Sequence, residues 1–154
     1  MTLPAVVPFA DWVAVMRETR RGDTLWSVQA YQLASYAIEC HTYDRQANAE
    51  FSKAPEFDQL SKAIGSIAAN IAEGYSRSSI VDRNRFYDYA LGSAREAITW
   101  YDTLRFALGA VTDERQATLI KVRRLLLTTL RTSRAESVRS AISDPTRPRP
   151  ANDG

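Results

Sequence analysis

Between Phe57 and Leu108 the apolar positions fall into two helical registers. In the first, Phe57, Leu60, Ile64, Ile67, Ala68, Ile71 and Tyr75 recur at three- and four-residue steps, which puts them on one face of a helix. In the second, Phe86, Tyr89, Ala90, Ser93, Ala97, Trp100, Tyr101, Leu104 and Leu108 repeat the pattern. Gly74-Tyr75-Ser76-Arg77-Ser78-Ser79 joins the two. Neither stripe is stable in water, so these helices must pack on each other and on further helices. Upstream, Leu25, Trp26, Leu33, Tyr36, Ala37, Cys40 and Tyr43 share a broad face, and downstream so do Leu119, Ile120, Val122, Leu126, Leu127 and Leu130. There is no strand-like alternation and no internal repeat.

Start and stop signals divide this pattern into elements. Phe9, Trp12, Val13 and Met16 predict a short helix over residues 9 to 20, ending near Arg20-Arg21-Gly22. Asp23 reads as the N-cap of a long first helix, which frays over Arg45 to Lys53 and breaks at Pro55. A second helix runs from Glu56 to Glu73, with Gly74 supplying a left-handed C-terminal position. Ser79 and Asp82 resemble a capping box opening the third helix, and Gly109 closes it. Thr112, with Asp113 and Glu114 behind it, starts a fourth helix that reaches Ile142. The expected fold is therefore all-α: an antiparallel up-down-up-down four-helix bundle over residues 23–142. An extension over residues 1–22 with a short extra helix precedes it. A disordered Pro-rich tail over residues 143–154, with Pro145, Pro148 and Pro150, follows it.

Two helices carry more apolar surface than one core consumes. The second has a further face of small residues, Ser61, Gly65, Ala69 and Ala72. The third has Tyr87, Leu91, Ala94 and Ile98 beside its main stripe. Two readings stay open here: ordinary packing against two core neighbours, or a subunit interface.

A chain of 154 residues fits one domain able to bury a core without staples. The segment Met1 to Pro8 lacks a leading positive charge and is interrupted by two prolines, so it makes a poor signal peptide. A single cysteine, Cys40, suits a reducing compartment, and a cytoplasmic location is expected. The net charge of +2 is unevenly spread. Up to Val111 there are 11 basic and 13 acidic residues, and from Thr112 onward 9 and 5. The basic excess in the last helix and tail favours an anionic partner, nucleic acid above all.

Catalytic chemistry finds little support. A di-iron bundle site needs Glu-x-x-His pairs, and the one histidine, His41, belongs to none. Cys40 and His41, being adjacent, point about 100° apart on a helix and are poorly placed to share a metal. Cys40 in the core and His41 on the surface is the expectation. No Gly-rich phosphate loop or nucleophile elbow is present. Glu73 and Glu96 read as structural acids near Arg77 and Asn70. No catalytic residue, metal or cofactor is expected.

The fourth helix does offer a candidate binding surface. Lys121, Arg124, Arg131 and Arg139 fall on one strip, with Thr128 and Ala135 between them and no interleaved acid. Such a strip is a plausible phosphate track, since each contact releases counterions. Basic residues that merely solubilise the helix are the equal alternative. Arg77, Arg83 and Arg85, at one end of the bundle, would extend the track. Arg123 and Arg134 lie nearer the apolar arc and suit packing or a subunit contact.

The run Ser66-Ile67-x-x-Asn70-Ile71-Ala72-Glu73-Gly74, with Arg77 and Ser78, is followed by Phe86, Ala90, Gly92, Ser93 and Glu96. This signature resembles the bacterial four-helix bundle proteins encoded in intervening sequences of large-subunit ribosomal RNA genes. The resemblance implies a left-handed up-down bundle assembling into a ring-shaped homo-oligomer, a pentamer, without enzymatic activity. Asn70, Glu73, Gly74, Ser93 and Glu96 would then be structural: Asn70 and Glu73 satisfying helix-end groups, Ser93 permitting close packing. More distantly, the chain is similar to the accessory variability proteins of diversity-generating retroelements, basic pentameric bundles that bind nucleic acid and a reverse transcriptase. The expected function is a non-catalytic accessory protein binding RNA or DNA through its basic face, in support of a reverse transcriptase or another nucleic-acid enzyme. The alternative is a protein-interaction scaffold that touches no nucleic acid.

Overall fold

Agreement between pattern and structure is closest in the second long helix of the computed structural model, which describes residues 6–143. This helix, α4 (Pro55–Tyr75), buries Phe57, Leu60, Ile64, Ile67 and Ile71 almost completely, although Tyr75 at its end remains 37% exposed. Pro55 occupies its first turn, where a missing N–H costs nothing, and Glu56 and Asp58 complement the helix dipole there.

Among the described residues the chain is all-α, and no helix is long and apolar enough to cross a membrane. Two short helices, α1 (Phe9–Ala14) and α2 (Glu18–Arg21), precede the long α3 (Gln29–Ala47). After α4 come α5 (Ile80–Thr103), the short α6 (Arg105–Leu108) and α7 (Val111–Ser143). The four long helices pack side by side, α4 and α7 each lying against both α3 and α5. The N-terminal residues 1–5 and the Pro-rich tail from residue 144 onward lie outside the described residues.

Several boundaries differ from those the sequence predicts. The expected helix over residues 9 to 20 is two pieces, because the chain turns at Val15-Met16-Arg17. Asp23 does cap, accepting from the Leu25 amide at 2.9 Å, but it caps a single 3-10 turn, Thr24–Ser27. Val28 is extended, so α3 starts only at Gln29. Ser79 caps α5 as expected, accepting from the Asp82 amide at 3.4 Å. Asp82 itself turns to Arg85 at 3.1 Å. The chain between α5 and α7 closes through Gly109, at φ +61° and ψ −139°, a backbone state open to glycine almost alone. Thr112 does not cap α7, which begins at Val111; its side chain is sealed in the core instead.

Gly74 has a different role from the predicted one. Its φ is not positive, and α4 continues through it to Tyr75. A Cβ on Gly74 would stand 2.7 Å from the Tyr87 ring and 3.1 Å from the Arg83 carbonyl. Glycine is needed there because α5 crosses α4 too closely for any side chain. That crossing also decides which face of α5 is inside. Tyr87, Ala90, Ala94, Ala97 and Tyr101 are buried, whereas Phe86 and Trp100 are half-buried and Tyr89 is 53% exposed. The expected main stripe is thus split, and Tyr87 and Ala94 from the secondary face take over its upper half.

Two features of α3 were not expected. His41 is buried, contrary to its predicted surface position, and stacks on Phe57. Asp44 is buried as well, and its two carboxylate oxygens accept from Nε and Nη2 on one edge of the Arg115 guanidinium, at 2.8 and 2.9 Å, across 71 residues of sequence. This bidentate pair ties α3 to the first turns of α7, where both charges are shut away from water. On the outer side of α3, Trp12 and Trp26 pack with Tyr36 and Cys40 as a satellite core. The Trp12 indole donates to Glu39 at 2.7 Å, and the Tyr36 hydroxyl to the Val7 carbonyl at 2.8 Å. Within the described residues, the N-terminal extension is therefore docked on the helices from Val7 onward. Burial pushes the Cys40 thiol up to about 11, which keeps it protonated and inert.

Candidate nucleic-acid interface

The basic strip follows from helical geometry. Thr112, Arg115, Leu119, Val122, Leu126 and Leu130 turn one side of α7 into the core. At about 100° per residue, Lys121, Arg124, Thr128, Arg131, Ala135 and Arg139 lie on the opposite side, facing water. All six are exposed. Among the described residues, none of these four cations forms an ion pair. Lys121 and Arg124 also flank a shallow hollow of about 210 Å³ floored by Leu33 and Leu125, between α3 and α7.

The other proposed track residues behave unequally. Arg77 is paired with Glu73, and its guanidinium lies 5.0 Å above the Phe86 ring. Arg85 is paired with Asp82 and approaches the same ring at 5.6 Å. Both are held locally, their charges offset by carboxylates one turn away. Arg83 has no carboxylate partner among the described residues; its Nη2 donates to the Arg77 carbonyl at 3.1 Å and its buried Nε meets no acceptor. Arg134 reaches Asp88 on α5 at 2.7 Å, which gives it a packing role between helices. Arg123 is half-buried.

The motif residues divide similarly. Asn70 does not serve a helix end: its side-chain amide donates to the Ser66 carbonyl at 2.8 Å, in mid-helix. Glu73 holds Arg77, and Glu96 accepts from the Trp100 indole at 3.3 Å, so each acid has its own structural partner. Ser93 is half-buried on α5.

Around His41 the geometry is that of a strut. Its Nε2 lies 2.6 Å from Ser61 Oγ, while the Ser61 hydroxyl donates to the Phe57 carbonyl at 2.8 Å. Ser61 therefore accepts from the imidazole, the reverse of the polarity that activates a nucleophile. Burial lowers the His41 pKa to about 4, so the ring is neutral at neutral pH. Among the described residues no group of His, Cys, Asp and Glu is placed to hold a metal ion.

Fold and surface together define an all-α protein with one long, basic, outward-facing helix edge. The chain belongs to the 23S rRNA-intervening sequence protein family, whose model matches residues 28–129. The match starts just before α3 and stops inside α7, so α1, α2 and the Arg131 to Arg139 part of the strip lie outside it. No curated protein and no solved structure matches the chain.

Proposed function

We propose that this protein is a non-catalytic, cytoplasmic accessory protein that binds nucleic acid along the outward edge of α7. In this reading α3, α4, α5 and α7 form an antiparallel up-down-up-down four-helix bundle, the repeating unit of a ring-shaped homo-oligomer, a pentamer. One observation carries the proposal. Several cations meet no carboxylate among the described residues, and four of them, Lys121, Arg124, Arg131 and Arg139, fall in one row along the outward edge of a single helix. Cations left unpaired in a row are available to phosphates, and repetition around a ring multiplies a weak contact by avidity. Such a protein serves an enzyme that works on nucleic acid, a reverse transcriptase being one example.

The test is a mobility-shift titration of structured RNA and duplex DNA at several salt concentrations. The triple variant Lys121→Glu, Arg124→Glu, Arg131→Glu should lose polyanion binding while its circular dichroism stays helical. Each phosphate contact removed should flatten the log–log salt slope by about 0.9 on duplex DNA. Affinity equal to that of the unmodified chain would remove the track. Light scattering settles the ring.

A scaffold function is the second reading, favoured by the outer faces of α4 and α5. Tyr89 is 53% exposed, Phe86 is half-buried, and the space beside Gly65 and Gly92 is open. A protein captured through that face, and lost with Tyr89→Glu while nucleic-acid binding is absent, would decide for it.

A further inference from the structure

α7 outruns α3. Val28, the residue before α3, closes one wall of a slot, while α7 continues to Ser143, and the slot is also lined by Tyr75 of α4 and by α5. The slot between α5 and α7 has a volume of about 750 Å³, and Tyr87, packed on Gly74, lies in its wall. Arg83, Tyr75, Thr128, Thr132, Ser133 and Glu136 line it beside the apolar Val28 and Ile80. Arg83 keeps a buried Nε without an acceptor. Thr128 donates to the Arg124 carbonyl at 3.0 Å, whereas the Thr132 and Ser133 hydroxyls have no partner among the described residues.

We propose that this slot binds one ribonucleotide unit, with its phosphate on Arg83, its ribose hydroxyls on Glu136 and its base against Tyr75. This rests on the nucleic-acid reading above and places a specific subsite beside the sequence-neutral strip. Arg83 lines the slot and meets no carboxylate among the described residues, so a phosphate there answers its charge. Glu136, as a carboxylate, is acceptor-only and repels a second phosphate, so it selects a ligand that also presents hydroxyl donors. A ribose carries them and a 2′-deoxyribose lacks one, the group by which a site tells RNA from DNA. The exposed Tyr75 ring offers a sequence-tolerant stacking surface. Its volume lies within the range of small-molecule clefts. Thr128 lies on the strip between Arg124 and Arg131 and also lines the slot, so a strand lying on the strip leads directly into it.

A free ribonucleoside 5′-phosphate and the 3′-terminal residue of an RNA strand both present a 5′-phosphoryl group and two ribose hydroxyls, and the test separates them. AMP, dAMP and a short oligoadenylate are titrated onto the full chain by calorimetry. AMP should bind about tenfold more tightly than dAMP, the worth of one hydrogen bond to a charged group. Glu136→Gln, at an exposed position, should bring the two together. Arg83→Gln should weaken both by about tenfold or more, with helicity checked by circular dichroism. No AMP binding, or equal affinity for AMP and dAMP on the unmodified chain, overturns the slot. If long RNA still binds in that case, the basic strip stands without it. AMP binding that survives in a chain unable to bind long RNA makes the slot a site for free nucleotide and refutes the strip. An oligoadenylate that outcompetes AMP, and loses that advantage in the Lys121, Arg124 and Arg131 triple variant, identifies RNA as the source.

Discussion

Where α3 ends and α7 begins, Asp44 and Arg115 face inward and neutralise each other with 3% and 6% of their side-chain surfaces exposed. Where α4 turns into α5 and α7 runs on, Arg83 has no carboxylate and Arg131 and Arg139 point into water. The first end uses charge to lock two helices that lie 71 residues apart. The second leaves charge unspent beside an open slot. Buried, mutually neutralised charge and unpaired charge thus occupy opposite ends of the long helices.

The sharpest way to break this contrast is Asp44→Ala. It strands the Arg115 guanidinium in the core, and unfolding by denaturant should show a loss of about 3–5 kcal/mol, the cost of breaking a buried pair. Replacing Asp44 and Arg115 together by Leu and Met should recover most of it, because no uncompensated charge remains. A double variant as unstable as Asp44→Ala would show that the pair does more than cancel itself. The basic strip should be unaffected in either case.

His41 gives the same end a pH dependence. Its folded pKa of about 4, set by burial, lies below the ordinary value of about 6.5. Between these values the unfolded chain binds more protons than the native one, so stability falls as the pH drops through this window. Above pH 6.5 both forms are neutral and the contribution is complete. The full span is on the order of 3 kcal/mol. Denaturant midpoints of the unmodified chain and of His41→Gln, taken from pH 7 down to pH 4.5, should diverge in slope. Parallel curves would mean that His41 does not titrate in isolation from water.

Two glycines of one helix sharpen the comparison further, with smaller effects of opposite sign. Gly74→Ala drives a Cβ into Tyr87 and should cost about 1–3 kcal/mol, the usual range for overpacking. Gly65 has nothing within 4 Å of its would-be Cβ, so Gly65→Ala should stabilise by about 0.5–1 kcal/mol through helix propensity. Thermal melts distinguish the two. A melting point lowered by Gly65→Ala would mean that another chain approaches that face.

Much of this was legible from single residues and their spacing. The α4 stripe, the Ser79 cap, the positive-φ turn at Gly109 and the outward line of basic residues on α7 follow from local rules. Gly74 is visible in the sequence but ambiguous, since a glycine after a helical run signals a left-handed cap and a close crossing equally well. Asp44 and Arg115 carry no local signal at all. A charged residue on a helix ordinarily faces water, and only a partner from a distant segment makes its burial affordable. The His41 pocket was missed for the same reason.

From its own residues, then, the chain determines where helices lie and which positions share a face, because 3.6-residue periodicity and capping are properties of a few neighbours. On α5 it carries two nearly equal apolar faces, one of large aromatics and one of tyrosine and alanine. Tertiary packing chose the second as core, because alanine beside Gly74 and Tyr87 lets two helix backbones approach closely. The same packing buried Asp44 with Arg115 and opened the slot beyond α3, since both depend on where segments remote in sequence come to rest.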